Sequence, residues 1–357
     1  MSDGKGRRAV LAVLVSVVVI LLYFFVFAEP LSPELSAVPR WKTDIDVLQA
    51  AAASAPAAEP IAFSAGDRFG YFYPDGRLSF IAEAAGGAPV SDASYVSLEA
   101  AGGDRVLKRP DGATIASIES RFPFYSGGRL FSAEKDGSGV AAYDSAGRAM
   151  WEYAFPCQLS AFSAGDGLVV GGTVDGWLEG VSLDGRRAFS FAPGGSRLPV
   201  VLGIGVSRSG DWVASVSGVD KQRLVVLGRG GVDYRVASHR YLDTDYREPV
   251  RVVVLDDDKH VLYRRSDGIG VWSVDGSVDE VLPVKADDFD VALDGSKGIA
   301  YLVARRGRKS EIVAFRLPAT LLGRIALPDY SEYARFSGSS AFVGGKTWLA
   351  RLDFMEE

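Results

Sequence analysis

Apolar residues are distributed along this chain in two different ways. From Ala9 to Ala28 they form a single run without a charged residue. Those 20 residues, rising about 1.5 Å each, make roughly 30 Å of helix, the thickness of a bilayer's hydrocarbon core. From Pro60 onward, brief runs rich in Val, Ile, Phe and Tyr alternate with two-residue turn signals, as in a succession of short strands. One stretch shows the layout. Leu159–Ser163, Leu168–Gly172, Trp177–Ser182 and Arg187–Phe191 read as four strands, separated by Gly165-Asp166-Gly167, Asp175-Gly176 and Asp184-Gly185. The pattern returns in Arg251–Val254, His260–Tyr263, Ile269–Ser273 and Val278–Val284, and again in Phe289–Leu293, Ile299–Ala304, Glu311–Arg316 and Leu321–Leu327. Asp-Gly suits such hairpins because a type I′ turn needs positive φ at both central residues.

The turns are periodic. Gly76, Gly112, Gly147, Gly185, Gly231 and Gly276 follow one another at intervals of 36, 35, 38, 46 and 45 residues, and Leu317-Pro318-Ala319 continues the series. Periods of this length in a strand-rich chain indicate a β-propeller with four strands per blade. Eight third strands, ending near residues 75, 111, 144, 184, 229, 275, 317 and 353, predict eight blades. Seven is the alternative, because Pro60–Glu83 has room for only three strands. The chain ends on three strands, Tyr333–Phe336, Ser340–Val343 and Thr347–Leu352. An open end would expose unpaired edges, so the closing outer strand is expected from before Pro60, with Trp41–Val47 as the candidate.

The predicted organisation is therefore a cytoplasmic N-terminus (1–8), a transmembrane signal anchor (9–28), a linker rich in Pro and Ala (29–59) and a propeller (60–357). Lys5, Arg7 and Arg8 precede the apolar run and no base follows it until Arg40. The positive-inside rule then leaves the N-terminus in the cytoplasm and the propeller outside, on a single-pass inner-membrane protein with a periplasmic domain. A signal peptide cleaved after Val26-Phe27-Ala28 is the rival reading; the run exceeds the usual length of a signal h-region, about 7–15 residues. With no Cys directly after the run, a lipoprotein anchor is excluded.

Composition narrows the function classes. A net charge of −6 gives no nucleic-acid surface. One cysteine, Cys157, cannot form a disulfide within the chain and is expected to pack as a small apolar group. Two histidines, His239 and His260, exclude a His-rich metal site. No helix follows Gly165-Asp166-Gly167, Gly203-Ile204-Gly205 or Gly228–Gly231, so none of them reads as a phosphate-binding loop.

The segment Ala142-Tyr143-Asp144-Ser145-Ala146-Gly147-Arg148-Ala149-Met150-Trp151 resembles the repeat of the quinoprotein-like (pyrroloquinoline-quinone-type) propellers. Ala142, Asp144, Gly147 and Trp151 match its Ala-x-Asp, Gly turn and following Trp, and the stronger likeness spans Gly128 to Phe191. The resemblance implies that the Gly closes a hairpin and the Trp wedges between blades, whereas Trp272 falls in a third strand instead. The family's quinone enzymes hold a cofactor and calcium with Trp, Glu, Asn and Asp residues, and no motif here places that set. The likeness is to the family's non-enzymatic scaffold members.

Three clusters could carry chemistry. Asp256-Asp257-Asp258-Lys259-His260 lies at a predicted turn and could offer oxygen ligands to Ca²⁺; a solvated hairpin tip is the favoured reading. Asp287-Asp288-Phe289-Asp290 precedes an inner strand, where it could face the channel mouth, and solvation is again favoured. Arg305-Arg306-Gly307-Arg308-Lys309 fits a second-to-third-strand turn, and could bind anionic headgroups or an acidic partner, or simply deter strand pairing. Phe122, Phe124, Tyr125, Tyr153 and Phe155 are expected between blades. The expectation is a scaffold that binds protein partners in the cell envelope, with no catalytic, cofactor or metal residues and no nucleic-acid partner. The alternatives are an exported propeller enzyme, a hydrolase or quinone-dependent dehydrogenase, and a small-ligand or glycan sensor.

Overall fold

The short apolar runs become strands at nearly the residues expected. The computed structural model describes residues 14–19, 35–46, 59–98, 105–119 and 122–356. Residues 35–355 form one compact unit, and the helical residues 14–19 belong to another. In the first unit, Leu159–Ala164, Leu168–Thr173, Leu178–Ser182 and Arg187–Phe191 pair in sequence order as one antiparallel sheet, blade 4. Residues 122–154, 201–241, 252–282 and 288–326 build blades 3, 5, 6 and 7 in the same way. Blade 8 takes Tyr333–Ser337, Ser340–Gly345 and Trp348–Glu356 from the C-terminal end, and Leu35–Asp44 pairs outside Trp348–Glu356 to complete it. Blade 1 contains Ile61–Ala65, Arg68–Phe72 and Leu78–Glu83; blade 2 contains Tyr95–Leu98, Arg105–Lys108 and Thr114–Ile118. The propeller has eight blades.

Packing follows from the ring. Every seam between successive blades holds its own apolar cluster, including the seam from blade 8 to blade 1, where Ile45, Phe63, Phe72, Ile81, Phe342 and Leu349 meet. A second strand has a seam on both faces, so Leu168–Thr173 is buried at every position. An outermost strand such as Arg187–Phe191 is instead exposed at intervals. Between blades 5 and 6 the inner strands touch backbone to backbone: a Cβ on Gly203 would lie 1.9 Å from the Val250 carbonyl oxygen.

The two short blades keep the phase of the others. In blades 3, 4, 5 and 7 the pairing of third with outermost strand carries a bulge, and the pairing of second with third carries none. The same irregularity falls between Arg68–Phe72 and Leu78–Glu83, and between Arg105–Lys108 and Thr114–Ile118. Bulges are fixed features of a repeat. The three strands of blades 1 and 2 are therefore the second, third and outermost, in agreement with third strands ending near residues 75 and 111.

One boundary differs from expectation. The closing strand is Leu35–Asp44, starting six residues before Trp41, so part of the segment 29–59 read as a linker belongs to the propeller. Pro39 argues against a strand, but an outermost strand is where a sheet admits a proline. The segment Ala9–Ala28, read as a membrane anchor, lies outside the described residues except for 14–19. Among the described residues no helix is long and apolar enough to cross a membrane.

Candidate functional site

The seams explain the periodic turns. Trp151, on the outermost strand of blade 3, donates its indole N–H to the carbonyl of Leu183 in blade 4 at 2.9 Å. Leu183 precedes Asp184-Gly185, and a Cβ on Gly185 (φ +83°) would lie 2.6 Å from the Trp151 Cβ. Trp41, on the closing strand of blade 8, does the same to blade 1: it donates to Pro74 at 2.9 Å and lies over Gly76. Between blades 5 and 6 the outer strand offers Ser238, whose hydroxyl donates to Val274, the residue before Asp275-Gly276, at 2.8 Å. Trp272, from the third strand, then donates its indole N–H back to Ser238 at 2.9 Å. The Asp-Gly turns at Gly76, Gly185 and Gly276 are thus docks for the preceding blade's outer strand.

At the mouth where the inner strands begin, two clusters that are separate in sequence meet. Asp288 lies opposite Arg305 in the sheet register. Arg305 donates to Asp290 at 2.7 Å, to Asp288 at 3.1 Å and to the Ser331 carbonyl of blade 8 at 2.6 Å. Arg251, from blade 6, donates to the other oxygen of Asp290 at 3.1 Å. Arg305 is 5% exposed. It is a clamp joining blades 7 and 8, which corrects the reading of the whole basic run as surface. Burial pulls its pKa down, but Asp290 and Asp288 outweigh this and hold the guanidinium above its ordinary value. Asp287 accepts from Arg264 at 3.4 Å and from the Gly307 N–H at 2.8 Å, so this acidic group is engaged rather than simply solvated.

At blades 1 and 2 the channel holds a cavity of about 500 Å³. Ala62–Ser64, Val90–Asp92, Tyr125–Gly128 and Tyr333–Arg335 line it. Arg335 and Asp92 form an ion pair within it, and Asp92 also accepts the Ala62 N–H at 2.9 Å. Tyr125 and Ser94 share a hydrogen bond of 2.7 Å. Both ring and hydroxyl surfaces thus face this space.

The other sequence candidates resolve individually. Asp257 accepts the Lys259 and His260 N–H groups at 2.9 and 3.1 Å, and lies 2.6 Å from the His260 Nδ1. Burial pushes its carboxyl pKa up, yet these bonds bring it below the ordinary value. The carboxylate closes its own hairpin. His239 is exposed on an outer strand. Among the described residues no three His, Cys, Asp or Glu side chains gather as a metal cluster. Cys157 is half-buried, more open than expected, and unbridged. Phe124 packs on Phe131 and Phe162, and Phe155 is buried beside Tyr153, whose hydroxyl donates to Glu179 at 2.6 Å. These three aromatics fill seams as expected; Tyr125 lines the cavity and Phe122 is exposed.

Sequence reasoning missed a surface. Val174 and Trp177 flank the second-to-third-strand turn of blade 4, and Leu198 precedes blade 5; they are 38%, 41% and 57% exposed. Gly176 lies against Pro199, which joins the two segments. Tyr241, at the end of the outermost strand of blade 5, lies against Gly195, three residues before Leu198, with the Lys221 ammonium 4.1 Å from its ring centroid. The signal was present in Val174-Asp175-Gly176-Trp177, where an apolar pair flanks a turn instead of a strand interior.

Residues 4–357 match the model of the beta-propeller protein family, and the chain belongs to that family. An uncharacterized protein of Treponema pallidum (strain Nichols) is 23% identical over 350 residues, which cover 95% of this chain and 92% of that one. Among solved structures the chain is similar to BamB from Moraxella catarrhalis, with a TM-score of 0.62 and 14% identity over 90% of this chain and 99% of that one. It is also similar to the computationally designed Ika8 protein, with a TM-score of 0.59 and 17% identity over 84% and 95% of the two chains. At these identities the structural likeness concerns the fold.

Proposed function

We propose that this beta-propeller protein is a protein-interaction scaffold of the cell envelope. The observation that carries the reading is the exposed patch of Val174, Trp177, Leu198 and Tyr241 on one rim of the disc. Trp and Tyr are the residue types that anchor protein interfaces, and a cation over Tyr241 adds a polar edge. Inside the rim, Asp288 and Asp290 are engaged by Arg305 and Asp92 by Arg335, which supports a structural use of these carboxylates. The likeness to BamB and the resemblance of Gly128–Phe191 to the scaffold members of the quinoprotein-like family favour a non-enzymatic role in the envelope. The run Ala9–Ala28 behind Lys5, Arg7 and Arg8 supports an inner-membrane anchor with the propeller on the periplasmic side.

The test is a photo-cross-linking residue placed at Trp177 in cells with intact membranes. The expected result is one or a few discrete protein adducts, lost when Leu198 is changed to Asp. Absence of adducts at Trp177, with normal folding, would remove the scaffold reading. The channel cavity favours a second reading, a small polyhydroxylated ligand held by Asp92 and Arg335 beside the Tyr125 ring. Saturable thermal stabilisation by an envelope sugar, abolished in Arg335→Ala, would support it.

A further inference from the structure

We propose that the corner of blade 7 at the second-to-third-strand turn is a binding site for a phosphate group. Gly307-Arg308 is a two-residue turn, and it sets Arg306 directly opposite Lys309. Side chains of an opposed pair share one face of the sheet, and like charges in that arrangement destabilise it. The same face carries Ala304, Glu311 and Ala326, which lie in one row, and Arg324, which is opposite Val313. Lys285 arrives from the connection between blades 6 and 7, and the group encloses a cavity of about 410 Å³.

The charges here are not balanced. Arg324 is taken by Glu311, with one bond of 2.8 Å and a second, shorter one. Among the described residues Lys285, Arg306 and Lys309 form no ion pair, although Arg305 beside them is doubly paired. All three are exposed. The chain as a whole carries −6, so the spot does not follow from composition. A local rule broken without compensation inside the fold marks a functional position. A phosphate fits the set, since it accepts several charge-assisted bonds and neutralises more than one cation. The small Pro283, Ala304 and Ala326 leave room beside the cations. A volume within the range of small-molecule sites, about 300–1,000 Å³, calls for a phosphate ester rather than the bare ion. The ester can be a soluble metabolite or a phospholipid headgroup.

The full chain in neutral detergent is titrated with inorganic phosphate, glycerol 3-phosphate and dihexanoylphosphatidylglycerol, followed by thermal shift and equilibrium binding. Each titration is matched by chloride at equal ionic strength. Saturable binding is expected to weaken about tenfold or more in the double variant Arg306→Gln/Lys309→Gln. Without ligand that variant is expected to be at least as thermostable as the parent, because the opposed charges are gone. Tighter binding of the short-chain lipid than of glycerol 3-phosphate assigns the headgroup source, and the reverse order assigns a soluble ester. No saturable binding of any probe, an equal effect of chloride, or unchanged affinity in the double variant would each overturn the site.

Discussion

Trp151 reaches across the seam between blades 3 and 4 to donate to the Leu183 carbonyl, 2.9 Å away, with its ring packed over Gly185. Two contributions act there, ring packing and one hydrogen bond. Trp151→Ala should cost about 3 kcal/mol, the lower end for a large aromatic. Trp151→Phe keeps much of the ring and should lose about 1 kcal/mol for the hydrogen bond. Gly185→Ala strains the left-handed turn and presses a methyl on the indole, at about 1–3 kcal/mol. Urea denaturation of the three variants checks the ranking; equal losses for Trp151→Phe and Trp151→Ala would show that packing contributes nothing.

Trp41 makes the equivalent contact to Pro74 and Gly76, but at the one seam closed by the two ends of the chain. Chain connectivity holds the blade 3–4 seam together even after Trp151 is lost. At the blade 8–1 seam, weakening Leu35–Asp44 exposes the edge of Trp348–Glu356, a template for pairing with another molecule. Trp41→Ala should therefore aggregate on heating well before Trp151→Ala does, at similar loss of equilibrium stability. Light scattering during a thermal ramp, with limited proteolysis near residue 46, makes the comparison. Identical aggregation onsets would mean that ring closure does not depend on this strand.

Arg305 is the buried member of a charge cluster with Asp288 and Asp290. Removing one partner of such a group strands the others, at about 3–5 kcal/mol. Arg305→Ala should fall in that range, and adding Asp288→Asn and Asp290→Asn should recover much of the loss. Arg306→Ala, one residue on and exposed, should change stability by less than about 0.5 kcal/mol. A denaturant series on these variants settles whether burial, and not charge alone, sets the effect.

Asp275 accepts from the Ser273 hydroxyl at 2.6 Å, the Ser277 N–H at 3.0 Å and the Ser277 hydroxyl at 2.7 Å. Those bonds, that of Ser273 foremost, bring its carboxyl down to about 2. Asp184, bonded by Ser182 and Arg186, is also brought down to about 2. A depressed folded value means the stabilisation is complete above the unfolded aspartate value of about 3.9 and is lost as pH falls through the folded value. Melting temperature should hold from neutrality to about pH 4 and then drop. The double variant Asp184→Asn/Asp275→Asn should melt lower at pH 7 and show a shallower drop in acid. A parallel pH profile for variant and parent would remove these two turns from the acid transition.

Much of the architecture was readable from local pattern. Apolar runs and Asp-Gly turns depend on residues a few positions apart, so Ile269–Ser273 and Arg187–Phe191 were located to the residue, and the count of eight followed from turn spacing. The wedge at Trp151 was also legible, because the Gly147 turn of its own blade stands four residues before it and completes the repeat motif. Its counterpart at Trp41 was not: the partner turn is just as distant (33 residues against 32), but the third strand of its own blade comes from the C-terminal end, so no turn precedes it, and Pro39 masks the strand. Arg305 and Arg306 are indistinguishable as adjacent bases in a run. A strand turns successive side chains to opposite faces, and only the register places one against Asp288 and the other against Lys309.

The order of apolar runs and turns by itself determined that this chain makes strands, that they come in repeats, and roughly how many, because hairpins form between neighbours. The tertiary structure alone decided that the closing strand runs from Leu35 to Asp44, that Arg305 of the basic run pairs with Asp288 and Asp290 of the acidic run, and that Arg306 and Lys309 are left without an ion pair among the described residues. Those outcomes rest on contacts between residues distant in sequence, and ring closure fixes them only when all the blades are in place.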